Sequence, residues 1–213
     1  IRAHLPPGLW ITPWTAARCS NQLKLADDGT AWCINTRDQR ADHYQLLTGA
    51  VLERYASGNG QEILAASPGG AWIKEHPFGN LKYLSGGQVA AMNSFFPILG
   101  AGAAGKELWF VDGVGGRLFR SASPVADRDS AKNGGLNREA TALSVLPDGS
   151  VWAGTLGGVA RRDPVSGEWT EFGAKDGLRG TVTQLAAAPD GTVWMLQTFD
   201  YSNATAIWGV SAR

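Results

Sequence analysis

Residues 141–172 read TALSVLPDGSVWAGTLGGVARRDPVSGEWTEF, and this stretch decides the fold. Residues 142–146 alternate over a short span, the pattern of a half-buried strand. Pro147-Asp148-Gly149-Ser150 follows. Asp-Gly between two apolar runs signals a tight hairpin, because the turn needs positive φ and Gly supplies it without strain. Residues 151–154 read as the second strand. Gly157-Gly158 turns the chain into a third strand at 159–162. Residues 163–167 make another turn, and 168–172 alternate polar with aromatic as an outer strand does. Four short strands joined by tight turns form one antiparallel meander.

The rest of the chain repeats this unit. The second-strand Trp recurs as Trp32, Trp72, Trp109, Trp152 and Trp194, at spacings of 40, 37, 43 and 42 residues. The turn before each Trp recurs as DDGTAW, SPGGAW, AGKELW, PDGSVW and PDGTVW. An apolar, small-residue strand precedes each turn, at 23–26, 63–66, 98–101, 142–146 and 185–188. A third strand follows each Trp and carries an aromatic in four copies: Tyr44, Tyr83, Phe119 and Trp208, against Ala160. A period of this size marks a propeller or an array, since one such unit cannot bury its own faces and must stack on neighbours. Small side chains suit strands crowded around a propeller axis.

The sequence therefore predicts an all-β fold: a five-bladed β-propeller of four-stranded antiparallel blades. Residues 1–213 form a single domain, with repeats at about 19–60, 61–94, 95–136, 137–180 and 181–213. The last repeat has a third strand at 205–210 and lacks a fourth. Residues 1–10 are expected to complete it, with 1–5 as the missing strand, so that closure removes an exposed sheet edge. The outer strands of the first two repeats are expected at 51–55 and 88–92. The polar, Gly-ended run ADRDSAKNGG at 126–135 is expected to be an excursion from the third repeat.

Composition narrows the function. Lys plus Arg number 19 and Asp plus Glu number 19, so the formal net charge is zero. No like-charge run exceeds two residues, which argues against a nucleic-acid partner, since that would need a basic patch. No apolar run is long enough to span a bilayer. The chain begins at Ile1 rather than Met, as after removal of a leader or excision from a longer protein. Cys19 and Cys33 sit in the first repeat, near enough for one disulfide; two buried free thiols are the alternative. Asn203-Ala204-Thr205 is a glycosylation sequon of the kind one chain of this size carries by chance.

The run PDGSVWAGTLGGVARRD, followed by EWTEFGAKDGLRGTVTQLAAAPDGTVWM, resembles the repeat of two-component-regulator propellers, with its Asp-Gly-x-x-Trp core and Asp-Gly-Leu linker. DDGTAWCI and PDGTVWML are similar to the repeats of tectonin-type lectin propellers. The match is strong over 143–195; the first three repeats share only the turn and the Trp. Five blades resemble the tachylectin arrangement, without a tachylectin motif. These resemblances imply a propeller that binds, either glycans or a protein partner.

Candidate site residues follow from position. The five repeat Trp are expected to fill gaps between blades. Trp10, Trp14, Trp169 and Trp208 lie out of that register and are the better candidates to stack on a sugar face, Trp14 and Trp208 first among them; an indole suits this by combining area with a polar N–H. Three residues after each repeat Trp comes a polar column, Asn35, Glu75, Asp112, Thr155 and Gln197, near the strand end where loops gather. The column does not repeat in identity, so five equal sites are not expected. The enlarged loop of the last repeat adds Asp200 and Tyr201. His4, His43 and His76 show no metal-ligand spacing, and Glu75-His76, adjacent on one strand, face opposite ways. Gly113-Val114-Gly115-Gly116 reads as a hairpin turn, because no helix follows it. The expected function is a lectin-like, carbohydrate-binding propeller with shallow sites between blades or on one loop face. It is expected to be no enzyme, to need neither cofactor nor metal, to take glycans or glycoconjugates or else a protein partner, and to be secreted or at the cell surface. A protein-interaction or sensor propeller is the alternative, and a lyase or hydrolase the third reading.

Overall fold

The structure is a computed structural model that describes residues 22–26, 28–35, 37–56, 61–75, 81–92, 97–104, 107–121, 136, 138–188, 190–199 and 205–211. Five antiparallel sheets follow one another along the chain. Sheet one holds β1 (Leu23–Leu25), β2 (Thr30–Asn35), β3 (Arg40–Gln45) and β4 (Val51–Ala56). Sheet two holds β5 (Gln61–Ser67), β6 (Gly70–Glu75), β7 (Leu81–Ser85) and β8 (Gln88–Met92). Sheet three holds β9 (Ile98–Ala104), β10 (Glu107–Asp112) and β11 (Leu118–Ser121). Sheet four holds β12 (Ala140–Val145), β13 (Val151–Thr155), β14 (Gly158–Arg162) and β15 (Trp169–Phe172). Sheet five holds β16 (Thr181–Ala187), β17 (Thr192–Thr198) and β18 (Thr205–Ser211). In every sheet, strands adjacent in sequence are adjacent in space. Among the described residues the only helical piece is a 3-10 turn at Ala174–Asp176, and no helix is long and apolar enough to cross a membrane.

The Asp-Gly turns form for a local reason. Asp148 Oδ1 accepts the Ser150 amide N–H at 2.8 Å and the Ser150 hydroxyl at 2.7 Å, while Gly149 holds φ at 84°. Asp28 does the same for Thr30, at 3.1 and 2.6 Å, and Asp190 accepts the Thr192 N–H at 2.9 Å. A short carboxylate that bonds two residues onward and a glycine that tolerates positive φ together make Asp-Gly-Ser/Thr a self-sufficient turn.

Sheets stack by placing the second-strand Trp of one against the next. Trp32 packs with Ile63, Ala71 and Ile73 of sheet two. Trp72 meets Leu108 of sheet three, Trp109 meets Val151 and Ala153 of sheet four, and Trp152 meets Val182, Val193 and Met195 of sheet five. These four Trp are between 0% and 2% exposed. The inner strands β1, β5, β9, β12 and β16 touch in that order. Where they crowd, glycine is required: a Cβ on Gly102 would lie 2.7 Å from Val145 Cγ2. Polar bonds also cross between sheets. The Ile63 N–H donates to Gln22 Oε1 at 2.8 Å, and the Gly87 N–H donates to the Tyr55 hydroxyl at 2.9 Å. Tyr55 in turn donates to Glu53 at 2.8 Å; burial first, and then that bond, push its phenol pKa up to about 12.

The repeats differ from one another at two points. The third-strand aromatics do not share one register position. Tyr83 lies opposite Trp72, but Phe119 lies opposite Phe110, Tyr44 opposite Ala31 and Trp208 opposite Met195. What faces the repeat Trp across the strand is instead His43, Tyr83, Arg120, Arg161 and Gly209. His43 stacks on Trp32 at 4.3 Å with an interplanar angle of 11°. The Arg120 guanidinium and that of Arg162 from sheet four sit 5.6 and 5.2 Å from the Trp109 ring. Second, the fifth Trp differs: Trp194 is 49% exposed. Sheets one and five are not packed together by any pair of strands in extensive contact among the described residues, so no closed ring is formed by those residues. The expected closing strand at 1–5, the excursion at 126–135, and Trp10, Cys19, His4 and His76 lie outside the described residues.

His43 carries a pH consequence. Burial pushes its pKa below the ordinary 6.5, while Glu53, with Nδ1 to Oε2 at 3.6 Å, and Asp28 pull the other way without reversing the shift. The folded protein thus holds that proton less well than the unfolded chain. The stability His43 contributes is complete above 6.5 and is lost as pH falls below it. A His43→Phe variant is expected to melt with a flatter profile below that pH than the parent. Parallel profiles of melting temperature against pH would show that His43 does not couple folding to acid.

Candidate functional site

The polar column occupies the end of each second strand; Asn35, Asp112 and Thr155 close the turn to the third, while Glu75 and Gln197 bond to groups on or beside the neighbouring strands. Asn35 Nδ2 donates to Asp38 Oδ2 at 2.9 Å, and the Asp38 N–H donates to Asn35 Oδ1 at 3.1 Å. Asp112 Oδ1 accepts the N–H groups of Gly115 at 2.8 Å and Arg117 at 3.2 Å; its Oδ2 accepts Arg117 Nε at 2.8 Å. Thr155 Oγ1 donates to the Gly158 carbonyl at 3.2 Å and accepts the Gly157 N–H at 3.4 Å. Glu75 accepts from Gln61 Nε2 at 3.1 Å and from the Lys82 ammonium, tying β5, β6 and β7 together. Gln197 Nε2 donates to the Gly180 carbonyl at 3.3 Å, and its Oε1 is buried without a protein partner among the described residues. Asn35, Asp112, Thr155 and Gln197 are buried, Glu75 half-buried.

The column is therefore neither solvated nor convergent on one ligand position. Its residues differ because their partners do: Asn35, Asp112 and Thr155 match the groups their own turns present, and Glu75 and Gln197 match groups on or beside the neighbouring strands. That signal was local. Asn35 with Asp38, and Asp112 with Gly115 and Arg117, sit at the short separations of side-chain-closed turns. For Asp112, burial acts upward on the carboxyl, but the two N–H bonds and the Arg117 guanidinium outweigh it and hold its pKa below the ordinary 3.8. The glycines at 113, 115 and 116 lie in the hairpin this carboxylate holds.

Trp208 is placed otherwise. It lies opposite Met195 on β17, and Met195 packs with Trp152 and Val182. Trp208 thus shares the side of sheet five that is turned toward sheet four. It is 43% exposed there, with Gln197 buried on the same side. Trp169, another residue out of the repeat register, packs against the core between sheets three and four. Trp14, Asp200 and Tyr201 lie outside the described residues.

Two cavities are lined by described residues. One of about 620 Å³ lies on the axis, lined by inner strands of all five sheets. Its charged or hydroxylic lining is Lys24, Glu62 and Ser144; the rest is backbone and mostly small apolar side chains such as Ala65, Gly102 and Ala187. The other, about 490 Å³, lies beside sheet four, with Arg138, Glu171 and Lys175 at its rim. Arg138 Nε and Glu171 Oε2 pair at 2.9 Å. Among the described residues, no three His, Cys, Asp or Glu side chains gather as metal ligands. Cys33 is disulfide-bonded, which settles the alternative left open for it.

Solved structures show the same architecture. Hydrazine synthase from Kuenenia stuttgartiensis matches at a TM-score of 0.56 and 12% identity, over 90% of this chain and 62% of that one. The extracellular domain of a hybrid two-component system from B. thetaiotaomicron matches at 0.50 and 18% identity, over 81% and 26%. Virginiamycin B lyase from Staphylococcus aureus matches at 0.52 and 14% identity, over 90% and 70%. The chain has the β-propeller fold. It spans less than two thirds of the first two of these proteins. Their differing activities show that the propeller is a scaffold on which function is set by local sites. No protein-family model matches this sequence, and no curated protein does.

Proposed function

We propose that this propeller is a recognition module that binds a carbohydrate without turning it over, and that Trp208 is the platform. The observation that carries this reading is the half-exposed indole of Trp208 on the side of sheet five turned toward sheet four. An exposed indole offers an apolar face to sugar C–H groups and an N–H to a hydroxyl. Four of the five column side chains are buried, and all five are hydrogen-bonded within the protein, which supports binding over catalysis at that end of the strands. The zero formal net charge suits an uncharged ligand. The disulfide at Cys33 supports an oxidising compartment, and so a secreted or cell-surface location.

A glycan array with the purified chain, with and without chelator, tests the reading. Binding is expected to survive chelation. Trp208→Ala is expected to weaken it at least tenfold, about 1.4 kcal/mol, at an unchanged melting temperature. Trp208→Phe should retain part of the affinity. An array without specific binding, or a Trp208→Ala variant that binds as the parent does, would sink the proposal.

A protein-interaction or sensor role is the second reading. The match to an extracellular domain of a two-component system favours it, together with the resemblance of residues 143–195 to regulator propeller repeats. Capture of a protein ligand by a chain silent on the array would turn the assignment that way.

A further inference from the structure

The outward face of sheet five is built like an interface between blades, and none of the other sheets of described residues packs on it. Register places Gln184, Ala186, Trp194, Leu196, Ile207 and Gly209 on one side of the sheet, opposite the side that holds Val193 and Met195. None of these residues is charged. Ile207 is 73% exposed and Trp194 49%, whereas the equivalent Trp of sheets one to four are covered by the following sheet and at most 2% exposed. Trp194 lies flat across Gly209: a Cβ there would come within 3.1 Å of the indole ring. The indole is therefore laid down on its own sheet, with its other face presented outward, as Trp152 is presented to Val182 and Met195.

We propose that this face is the docking surface for a further antiparallel β-blade, linked covalently to this chain, which presents small or β-branched side chains to Trp194 and Ile207. Two considerations select this occupant over a second copy. Three strands about 4.8 Å apart and seven residues long, at roughly 3.3 Å per residue, cover a footprint of about 330 Å². Even doubled for the corrugation of the side chains, that falls short of the roughly 800 Å² per partner of a stable association between separate proteins. Sheets of the same dimensions pack within this chain because one polypeptide runs through both, which supplies the high effective concentration that free partners lack. Second, the solved chains matched above are longer than the portion that this chain covers, which is 62%, 26% and 70% of their lengths.

The test is residue-resolved oxidative footprinting of Trp194 and Ile207, read by mass spectrometry on the 213-residue chain. The same measurement is made on a version carrying a copy of its own fourth blade, residues 140–178, joined after Arg213 by a short linker. In the chain alone, both residues are expected to oxidise readily at every protein concentration. In the extended version, their oxidation should fall several-fold and the melting temperature should rise. Ile207→Asp in the extended version should restore the oxidation and cancel the gain; circular dichroism confirms that this variant stays folded. Unchanged oxidation in the extended version overturns the proposal. Protection in the chain alone that grows with concentration assigns the face to a second copy. Protection that is independent of concentration and lost on deleting residues 1–10 assigns it to the chain's own N-terminal segment. Either of these outcomes also overturns the proposal.

Discussion

Trp152→Ala is expected to destabilise the fold severely, and Trp194→Ala is not. The two residues occupy the same place in successive repeats, but Trp152 is 1% exposed between sheets four and five and Trp194 is 49% exposed on an open face. Truncating a buried Trp removes its transfer free energy and leaves a cavity that rigid sheets cannot fill, about 3–5 kcal/mol. That is a large share of the roughly 5–15 kcal/mol that holds a typical domain. The exposed Trp194 should lose no more than about 1–2 kcal/mol, because much of its surface never left water. Urea denaturation followed by circular dichroism measures both. Equal losses would mean that Trp194 is covered in solution.

Asp112→Ala is expected to be the most damaging change among the column residues. The carboxylate is fully buried and receives two backbone N–H groups and the Arg117 guanidinium. Its removal leaves those donors without their acceptor, about 2–4 kcal/mol for a group of bonds of which one is charge-assisted. The pH dependence has a definite sign. The folded-state pKa lies below 3.8, so the stability from this carboxylate is complete above that value and disappears as pH falls through the folded one. Asp112→Asn should therefore melt well below the parent near pH 7, and the two should converge in strong acid, around pH 2. A gap of constant size across that range would show that the charge of Asp112 contributes nothing and that only its shape matters.

Much of this molecule was legible in residues 141–172. The Asp-Gly-Ser/Thr turns, the alternating strands and the return of Trp at a near-constant period are local or periodic signals, and the strands lie where those signals put them. β8 coincides with the span read from the sequence, and β13 and β15 differ from theirs by a single residue at one end. β16 starts earlier than expected, at Thr181 rather than Leu185. Its first residues, Thr181 to Gln184, are mostly polar and lack the small apolar pattern used to find inner strands, and the strand carries a bulge between Val182 and Gln184.

The candidate site was less legible. The spacing that finds Asn35, Glu75, Asp112, Thr155 and Gln197 is a true structural equivalence. Whether such a side chain faces a ligand or its own turn depends on donors two to five residues away, or on the neighbouring strand. What the sequence determined by itself was therefore the blade: its turns, its strand order and its repeating Trp, all set by interactions that span few residues or recur with the period. What only the tertiary structure decided was the fate of identical positions. Trp152 and Trp194 stand in nearly the same words, PDGSVW and PDGTVW, and one is core while the other is surface. Burial belongs to whatever sheet comes next, and no local pattern carries that information.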